Sequence, residues 1–182
     1  MAIDILQFMS TFARSFLVAA LLGCMLVLTG PAAAAETIRL TQKPDVMLEH
    51  QRMPGNARAL AERRGVIRGV PHLFVYHPDA RHSPAFYMPG FRAGFDRQLT
   101  LELDRFRVQR SMVPLDRLLA NAEDNSGRTL TPGDLPRRRV VLVLYRAADC
   151  SDCARVAEAL DGWLAERPDF EVVRIEIDVE LP

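Results

Sequence analysis

The chain has 182 residues, and its 23 basic and 23 acidic side chains give a formal net charge of zero. This zero net charge gives no indication of binding to nucleic acid or to an anionic membrane surface, so neither partner is expected. Only three cysteines are present, which excludes a zinc site with four cysteine ligands. No sequence feature indicates a cofactor, and we expect none.

The first 35 residues carry the features of a secretory signal. Arg14 precedes a wholly apolar run at residues 16–28, and three alanines at residues 33–35 stand directly before Glu36. A positive flank, a short apolar run and a small-residue cleavage site are the parts of such a signal. We therefore expect residues 1–35 to be a signal peptide and residues 36–182 to form one domain that is exported to the periplasm.

Two other interpretations of this segment remain open. Leu21-Leu22-Gly23-Cys24 is similar to a lipoprotein signal, in which Cys24 would carry the lipid. The stretch from Phe16 to Ala35 also has about the length of ~20 residues that a membrane-spanning helix needs. Under that second interpretation an uncleaved segment would anchor the protein, and the membrane would be contacted only there.

The C-terminal part of the sequence predicts a strand, a helix and a second strand. Residues 140–145 are continuously apolar, which is typical of a strand buried on both faces. Asp149 is expected to cap the following helix, and Pro168 marks its end. The motif Cys150-Ser151-Asp152-Cys153 thus lies where the strand passes into the helix. The helix shows apolar side chains at three- and four-residue spacing: Cys153, Val156, Ala157, Leu160, Trp163 and Leu164. The second strand alternates charged residues with the apolar residues Val173, Ile175 and Ile177.

The middle of the chain predicts shorter elements, with a hairpin at their centre. We favour a helix over a strand at residues 95–106 because four apolar positions fit one helix face: Phe95, Leu99, Leu103 and Phe106. Trp163 and the aromatic side chains of the hairpin are expected in the core. The other predicted elements are an edge strand at 37–40, a helix at 56–64, hairpin strands at 73–76 and 85–88 around a turn at 77–80, a helix at 114–123 and a loop at 125–136.

Two cysteines three positions apart at a helix start lie on one turn and can form a disulfide. The first, Cys150, would be exposed and the second, Cys153, covered. The helix dipole stabilises a Cys150 thiolate, whereas Asp149 and Asp152 oppose it and Arg146 offsets part of their effect. We expect the pKa of Cys150 to be lowered less than in a strong oxidant. A static disulfide and a pair of soft copper(I) ligands remain as alternatives.

Two blocks of this sequence resemble the thioredoxin family. The C-terminal block, with the helix at 114–123, the buried strand and the C-x-x-C motif, looks like that family's N-terminal half. Residues 67–106 look like its C-terminal half. A Gly-x-Pro segment of the family carries a cis-proline packed against the C-x-x-C motif, and Gly69-Val70-Pro71 matches it. The resemblance implies an α/β fold, a thioredoxin-like mixed sheet flanked by helices.

The two blocks stand in reversed order, which predicts a circular permutation. Residues 36–106 would supply the C-terminal half, residues 107–137 the connection, and residues 138–182 the half with the cysteines. A truncated tandem completed by dimerisation is the alternative. The sequence also departs from the family: Asp149 replaces a tryptophan, Ser-Asp separates the cysteines, and Leu144 replaces a buried aspartate. These departures put efficient reductase activity in doubt.

The resemblance implies an exported thiol–disulfide oxidoreductase that acts on thiols and disulfides of other proteins. Cys150 would be the nucleophile and Cys153 the resolving cysteine. Val70 and Pro71 would shape the substrate groove, while Arg146, Asp149 and Asp152 would tune reactivity. His72 could approach the pair, although a core or edge position is more typical for such a histidine. The alternative function is a noncatalytic thioredoxin-like adaptor or a copper-handling module.

Overall fold

The computed structural model describes residues 35–46, 65, 67, 69–106 and 113–180. Residues 1–34 of the predicted signal segment, including Cys24, lie outside the described residues, as does the helix predicted at residues 56–64. Within the described ranges, no helix combines the length and the apolar character needed to cross a bilayer.

The described chain forms a mixed α/β structure with a six-stranded open sheet and helices on both of its faces. A 3-10 turn at Pro132–Asp134 lies in the loop predicted at 125–136. In chain order the elements are β1 (Glu36–Gln42), β2 (His72–Tyr76), β3 (Phe86–Pro89), α1 (Phe95–Asp104), α2 (Leu115–Ala120), β4 (Ala122–Glu123), β5 (Val140–Arg146), α3 (Ser151–Glu166) and β6 (Val172–Asp178).

The strands follow the order β3-β2-β5-β6-β1-β4 across the sheet. The β5–β6 and β6–β1 pairs are parallel, whereas the β2–β5, β2–β3 and β1–β4 pairs are antiparallel. The register between β2 and β5 runs from His72 opposite Tyr145 to Tyr76 opposite Val141. The β2–β3 hairpin therefore belongs to the same sheet as β5, the strand that precedes the cysteines, and all three strands come from one chain.

Burial on both faces of β5 confirms the interpretation of its continuous apolar run. Its odd-numbered residues pack against α2, and its even-numbered residues pack against α1 and α3. When both faces are counted, all six residues from Val140 to Tyr145 are at most 3% exposed. The indole of Trp163 in α3 is also in the core, where its Nε1 donates to Thr100 Oγ1 of α1 at 2.9 Å.

The helix predicted at residues 95–106 is confirmed, but the prediction that four apolar residues lie on its buried face is correct for only three of them. Phe95, Leu99 and Leu103 are buried, as the helical spacing predicts. Phe106 lies beyond the end of α1, with a φ of 47° that takes it out of the helical path. Its ring is 47% exposed and contacts the ring of His77, with 4.2 Å between centroids.

The helix predicted at 114–123 is shorter than expected. It ends at Ala120, and the next residues instead pair with β1, Ala122 opposite Gln42 and Glu123 opposite Thr41. Backbone groups at the open edge of β1 gain hydrogen-bonding partners in this way, which a longer α2 would not offer.

The described part of the connection predicted at 107–137 also belongs to the core. Leu115, Leu118 and Leu119 of α2 are fully buried, and the hydroxyl of Tyr76 donates to the carbonyl of Val113 at 2.8 Å. This segment therefore covers one face of the sheet in addition to joining the two blocks.

Truncating Leu142 should test the two-sided burial of β5. Leu142 is 0% exposed, so Leu142→Ala should lower the free energy of unfolding by about 2–5 kcal/mol through lost burial and the cavity that remains. Leu101 is 48% exposed on α1, and Leu101→Ala should change it by less than about 0.5 kcal/mol. Urea unfolding followed by Trp163 fluorescence measures both values, and equal effects would contradict the described core.

Candidate functional site

A disulfide joins Cys150 and Cys153 at the start of α3, with 5.2 Å between their Cα atoms. Cys150 is the N-cap of the helix: its Sγ accepts a hydrogen bond from the Cys153 N–H at 3.0 Å. Cys150 is partly exposed, whereas Cys153 is 3% exposed. One sulfur of the pair therefore faces the surface and the other is covered by the protein.

The prediction that Asp149 caps this helix is wrong. The backbone leaves its extended conformation at Cys150, so Cys150 rather than Asp149 stands where a side chain reaches the first free N–H groups. Asp149 lies one residue too early and is exposed.

The loop before Cys150 is tied to the ends of two strands. The N–H of Cys150 donates to the carbonyl of Ala147 at 3.3 Å, and the N–H of Val179 donates to the carbonyl of Arg146 at 2.8 Å. These bonds fix the chain where β5 and β6 end side by side. The disulfide therefore lies at the carboxyl edge of the parallel strands, where open α/β sheets commonly form their clefts.

An open cavity of about 410 Å³ extends from the disulfide along one flank of α3. Its lining is mostly small: Ala147 and Ala148 come from the loop, and Ala154 and Ala157 from the helix. Both cysteines contribute to the wall. The remaining lining residues are the charged side chains Arg146, Glu158 and Asp161.

Of the charged residues that the sequence singled out, Arg146 lines the cavity, and it is already paired. Its Nη1 is 2.9 Å from Glu176 Oε2, and its Nε is 3.4 Å from Asp178 Oδ1. Asp152 is bound by Arg155 at 3.1 Å on the exposed side of α3. A tuning role for Arg146, Asp149 and Asp152 stays a prediction.

A buried ionic network beneath the cavity was not foreseen from the sequence. The side chains of Arg174 and Glu176 in β6 are 7% and 6% exposed, and they pair at 2.7 Å. Arg174 also binds Asp161 of α3 at 2.6 Å, and Glu176 receives Arg146 as well as Arg39 at 3.8 Å. The network thus connects β6, β1, the end of β5 and the flank of α3. Opposite charges two residues apart on one strand face were the signal available for it.

Val70 and Pro71 precede β2 and are joined by a cis peptide bond, as the resemblance implied. Pro71 is buried, and its carbonyl accepts a hydrogen bond from the N–H of Gly90 at 2.7 Å. Because His72 pairs with Tyr145, the register brings Pro71 beside the end of β5. The described residues that line the cavity do not include Val70 or Pro71. Their role in a substrate groove stays a prediction.

His72 interacts with the aromatic side chains of the hairpin. Its Nδ1 lies 3.0 Å from the hydroxyl of Tyr87, and its ring stacks near Phe74 with 6.4 Å between centroids. Burial lowers the pKa of His72 below its ordinary value, because an imidazolium would lose hydration there. Within the described ranges, no group of three or more His, Cys, Asp or Glu side chains is arranged to hold a metal ion.

Two other predictions about side chains can be compared with the structure. Phe74, Tyr76, Phe86 and Met88 are buried, so the hairpin aromatic side chains are core residues, with Tyr87 partly exposed. Leu144, where the resemblance has an aspartate, is 0% exposed in the apolar layer beneath α3.

No protein-family model, curated protein or solved structure matches this chain. The mixed α/β sheet and the disulfide of the C-x-x-C motif are compatible with a thioredoxin-like fold. Inferences about function therefore depend on the geometry of the disulfide and its surroundings.

Removing the buried carboxylate of Glu176 should destabilise the protein more than removing an exposed carboxylate. Glu176→Ala leaves buried Arg174 paired only with Asp161 among the described residues and removes the carboxylate that Arg146 contacts, so the free energy of unfolding should fall by up to about 3 kcal/mol. Glu166→Ala, at the exposed end of α3, is the control and should change it by less than about 0.5 kcal/mol. Urea unfolding compares the two variants; a near-neutral Glu176→Ala would show that the network contributes little.

His72 should make stability depend on pH. Its folded-state pKa lies below the ordinary 6.5, so the unfolded chain takes up the proton first as the pH falls. The stability contributed by neutral His72 is complete above about pH 6.5 and is lost as the pH falls through the folded pKa. Unfolding midpoints in urea at about pH 7.5 and about pH 5.5 should therefore differ less in His72→Asn than in the parent. Exposed His82→Asn should retain the parent difference; an unchanged difference in His72→Asn would contradict this account.

Proposed function

We propose that the protein is a thiol–disulfide oxidoreductase that exchanges its Cys150–Cys153 disulfide with cysteines of other proteins. The observation that carries the proposal is the asymmetry of the pair at the helix start. Cys150 is accessible beside an open cavity, while Cys153 is covered and held directly behind it. Exchange requires this arrangement, because one sulfur must meet the substrate and the other must stay close enough to displace it.

The reaction proceeds through one mixed disulfide. In the reducing direction the Cys150 thiolate attacks a substrate disulfide, forms a Cys150–substrate disulfide and releases one substrate thiolate, which takes up a proton. Cys153 then loses its proton to solvent and attacks the Cys150 sulfur, releasing the second substrate thiolate. The substrate disulfide is reduced to two thiols and the Cys150–Cys153 dithiol is oxidised to a disulfide. The oxidising direction is the reverse, and an external thiol or disulfide resets the pair.

The helix start supplies a group that stabilises the attacking thiolate. The Cys153 N–H that points to Cys150 Sγ at 3.0 Å would become a charge-assisted hydrogen bond once Cys150 is ionised. Arg146 adds little positive charge there, since Glu176 and Asp178 compensate it. These contacts support a pair of intermediate reactivity, without the strongly stabilised thiolate of a powerful oxidant.

The proposal includes a thioredoxin-like domain with its two blocks in permuted order. Pairing of β2 with β5 within one chain supports this arrangement over a truncated tandem completed by dimerisation. The position of Pro71 beside the end of β5 supports it as well. We further propose export to the periplasm, which the N-terminal signal pattern supports and where a disulfide is stable.

The reduction potential of the pair is the first test of the function. After equilibration of the domain in graded thiol buffers and alkylation, we expect a value between about −120 and −270 mV, the span of known exchangers. A value below about −300 mV would identify a structural disulfide and overturn the proposal.

Single-cysteine variants provide the second readout of the same function. Cys153→Ser should trap a substrate as a mixed disulfide on Cys150, because the resolving sulfur is gone. Cys150→Ser should trap far less, since Cys153 is only 3% exposed. Non-reducing gels separate the mixed disulfides from the free protein. Equal amounts of mixed disulfide from both variants would contradict the assigned roles of Cys150 and Cys153.

A further inference from the structure

The cavity beside the disulfide is a groove along one stripe of α3. From the N-cap Cys150 onward, its lining residues recur at positions 150, 153, 154, 157, 158 and 161, the spacing of a single helix face. Four of its nine lining residues are alanines, and their short side chains leave room for the backbone of an extended segment. Both sulfur atoms lie at one end of it.

The charges of the groove leave one carboxylate available to a ligand. Arg146 is paired with Glu176, and Asp161 is bound by buried Arg174 at 2.6 Å. Glu158 is exposed and forms no ion pair with any other described residue. The groove therefore presents an apolar floor next to the reactive sulfur and a free negative charge farther along the helix.

We propose that this groove binds a substrate segment with a basic side chain four residues from the cysteine that exchanges with Cys150. The proposal rests on the oxidoreductase function and specifies its substrate class. The occupant is an extended stretch of another protein: its cysteine meets Cys150, small side chains lie on the alanines, and its lysine or arginine pairs with Glu158.

The spacing follows from the geometry of the helix. Glu158 is eight positions after Cys150, which is about 12 Å along α3 at ~1.5 Å per residue. An extended segment covers that distance in about four residues at ~3.3 Å each, and its side chains alternate between two faces, so the fourth side chain lies on the same face as the cysteine. A basic side chain directly beside the substrate cysteine would instead point away from the groove, because successive side chains of an extended segment lie on opposite faces.

This groove differs from the one that the sequence placed at Val70 and Pro71. Those residues lie at the start of β2, on the other side of β5 from β6. The two surfaces predict different mutational effects. A change at Glu158 alters substrate preference only if the segment lies along α3.

Exchange rates with synthetic peptides test the proposal. Each peptide carries one cysteine as a mixed disulfide with a chromophoric thiol, with arginine or glutamate four residues away on either side, or arginine one residue away. The reduced protein should react up to about fivefold faster with one of the distant-arginine peptides than with its glutamate counterpart, the effect of one exposed ion pair. This advantage should decrease as salt is raised, because the charges are exposed.

Variants of the groove determine whether Glu158 is responsible. Glu158→Gln should abolish the preference for arginine, and Glu158→Lys should reverse it in favour of glutamate. Glu166→Gln, on the same helix but outside the groove, should retain the parent preference. Equal rates for all peptides, or a preference that survives Glu158→Lys, would overturn the proposed groove.

Failure of the groove is distinguishable from failure of the function. If the reduced pair exchanges with a small chromophoric disulfide but shows no preference among the peptides, only the groove assignment is overturned. If Cys150 exchanges with neither the small disulfide nor any peptide, the oxidoreductase function and the groove are both overturned.

Discussion

Hydrogen bonding of β5 on both of its edges is the interaction on which the rest of the structure depends. β2 pairs with one edge and β6 with the other, so two distant parts of the sequence meet at one strand. Apolar layers cover both of its faces, and its C-terminal end at Arg146 leads directly into the loop before α3. That loop ends at Cys150, and the exposure of one sulfur and burial of the other follow from how β5 and α3 are fixed.

The elements with strong periodicity could be predicted from sequence, because burial alone determines them. The apolar run of β5, the alternation of β6 and the helical spacing of α1 and α3 all required only the local pattern. Leu73 and Leu144, which lie opposite each other on β2 and β5, are an example. Both side chains are 0% exposed, so only apolar residues are tolerated at these positions. Element ends could not be predicted so well. Whether Ala122 continues a helix or pairs with β1 depends on an open edge supplied by residues far away in the sequence.

The sequence predicted a disulfide at the start of a helix, but it did not predict the ion pairs around the cysteines. The three-residue spacing is local chemistry, and it placed the disulfide at a helix start. The pairing of Arg174 with Glu176 is different, since an alternating charged strand has the same sequence whether its polar face meets water or a helix. The cavity beside the disulfide depends in turn on how α3 covers the polar face of β6. Ala154 and Ala157 indicate a groove only once the neighbouring loop, with Ala147 and Ala148, is known.

The separation of paired strands also affects how the protein reaches its fold. Residue 36 of β1 pairs with residue 173 of β6, and β2 finds its second neighbour only in β5. Non-local pairing of this kind slows folding, because a long loop must close before the contacts that stabilise it exist. During synthesis the β2–β3 hairpin is the part of the described sheet that can form early, and the central strands complete the sheet only after β6 has emerged. Until then the strands without a partner stay accessible to chaperones.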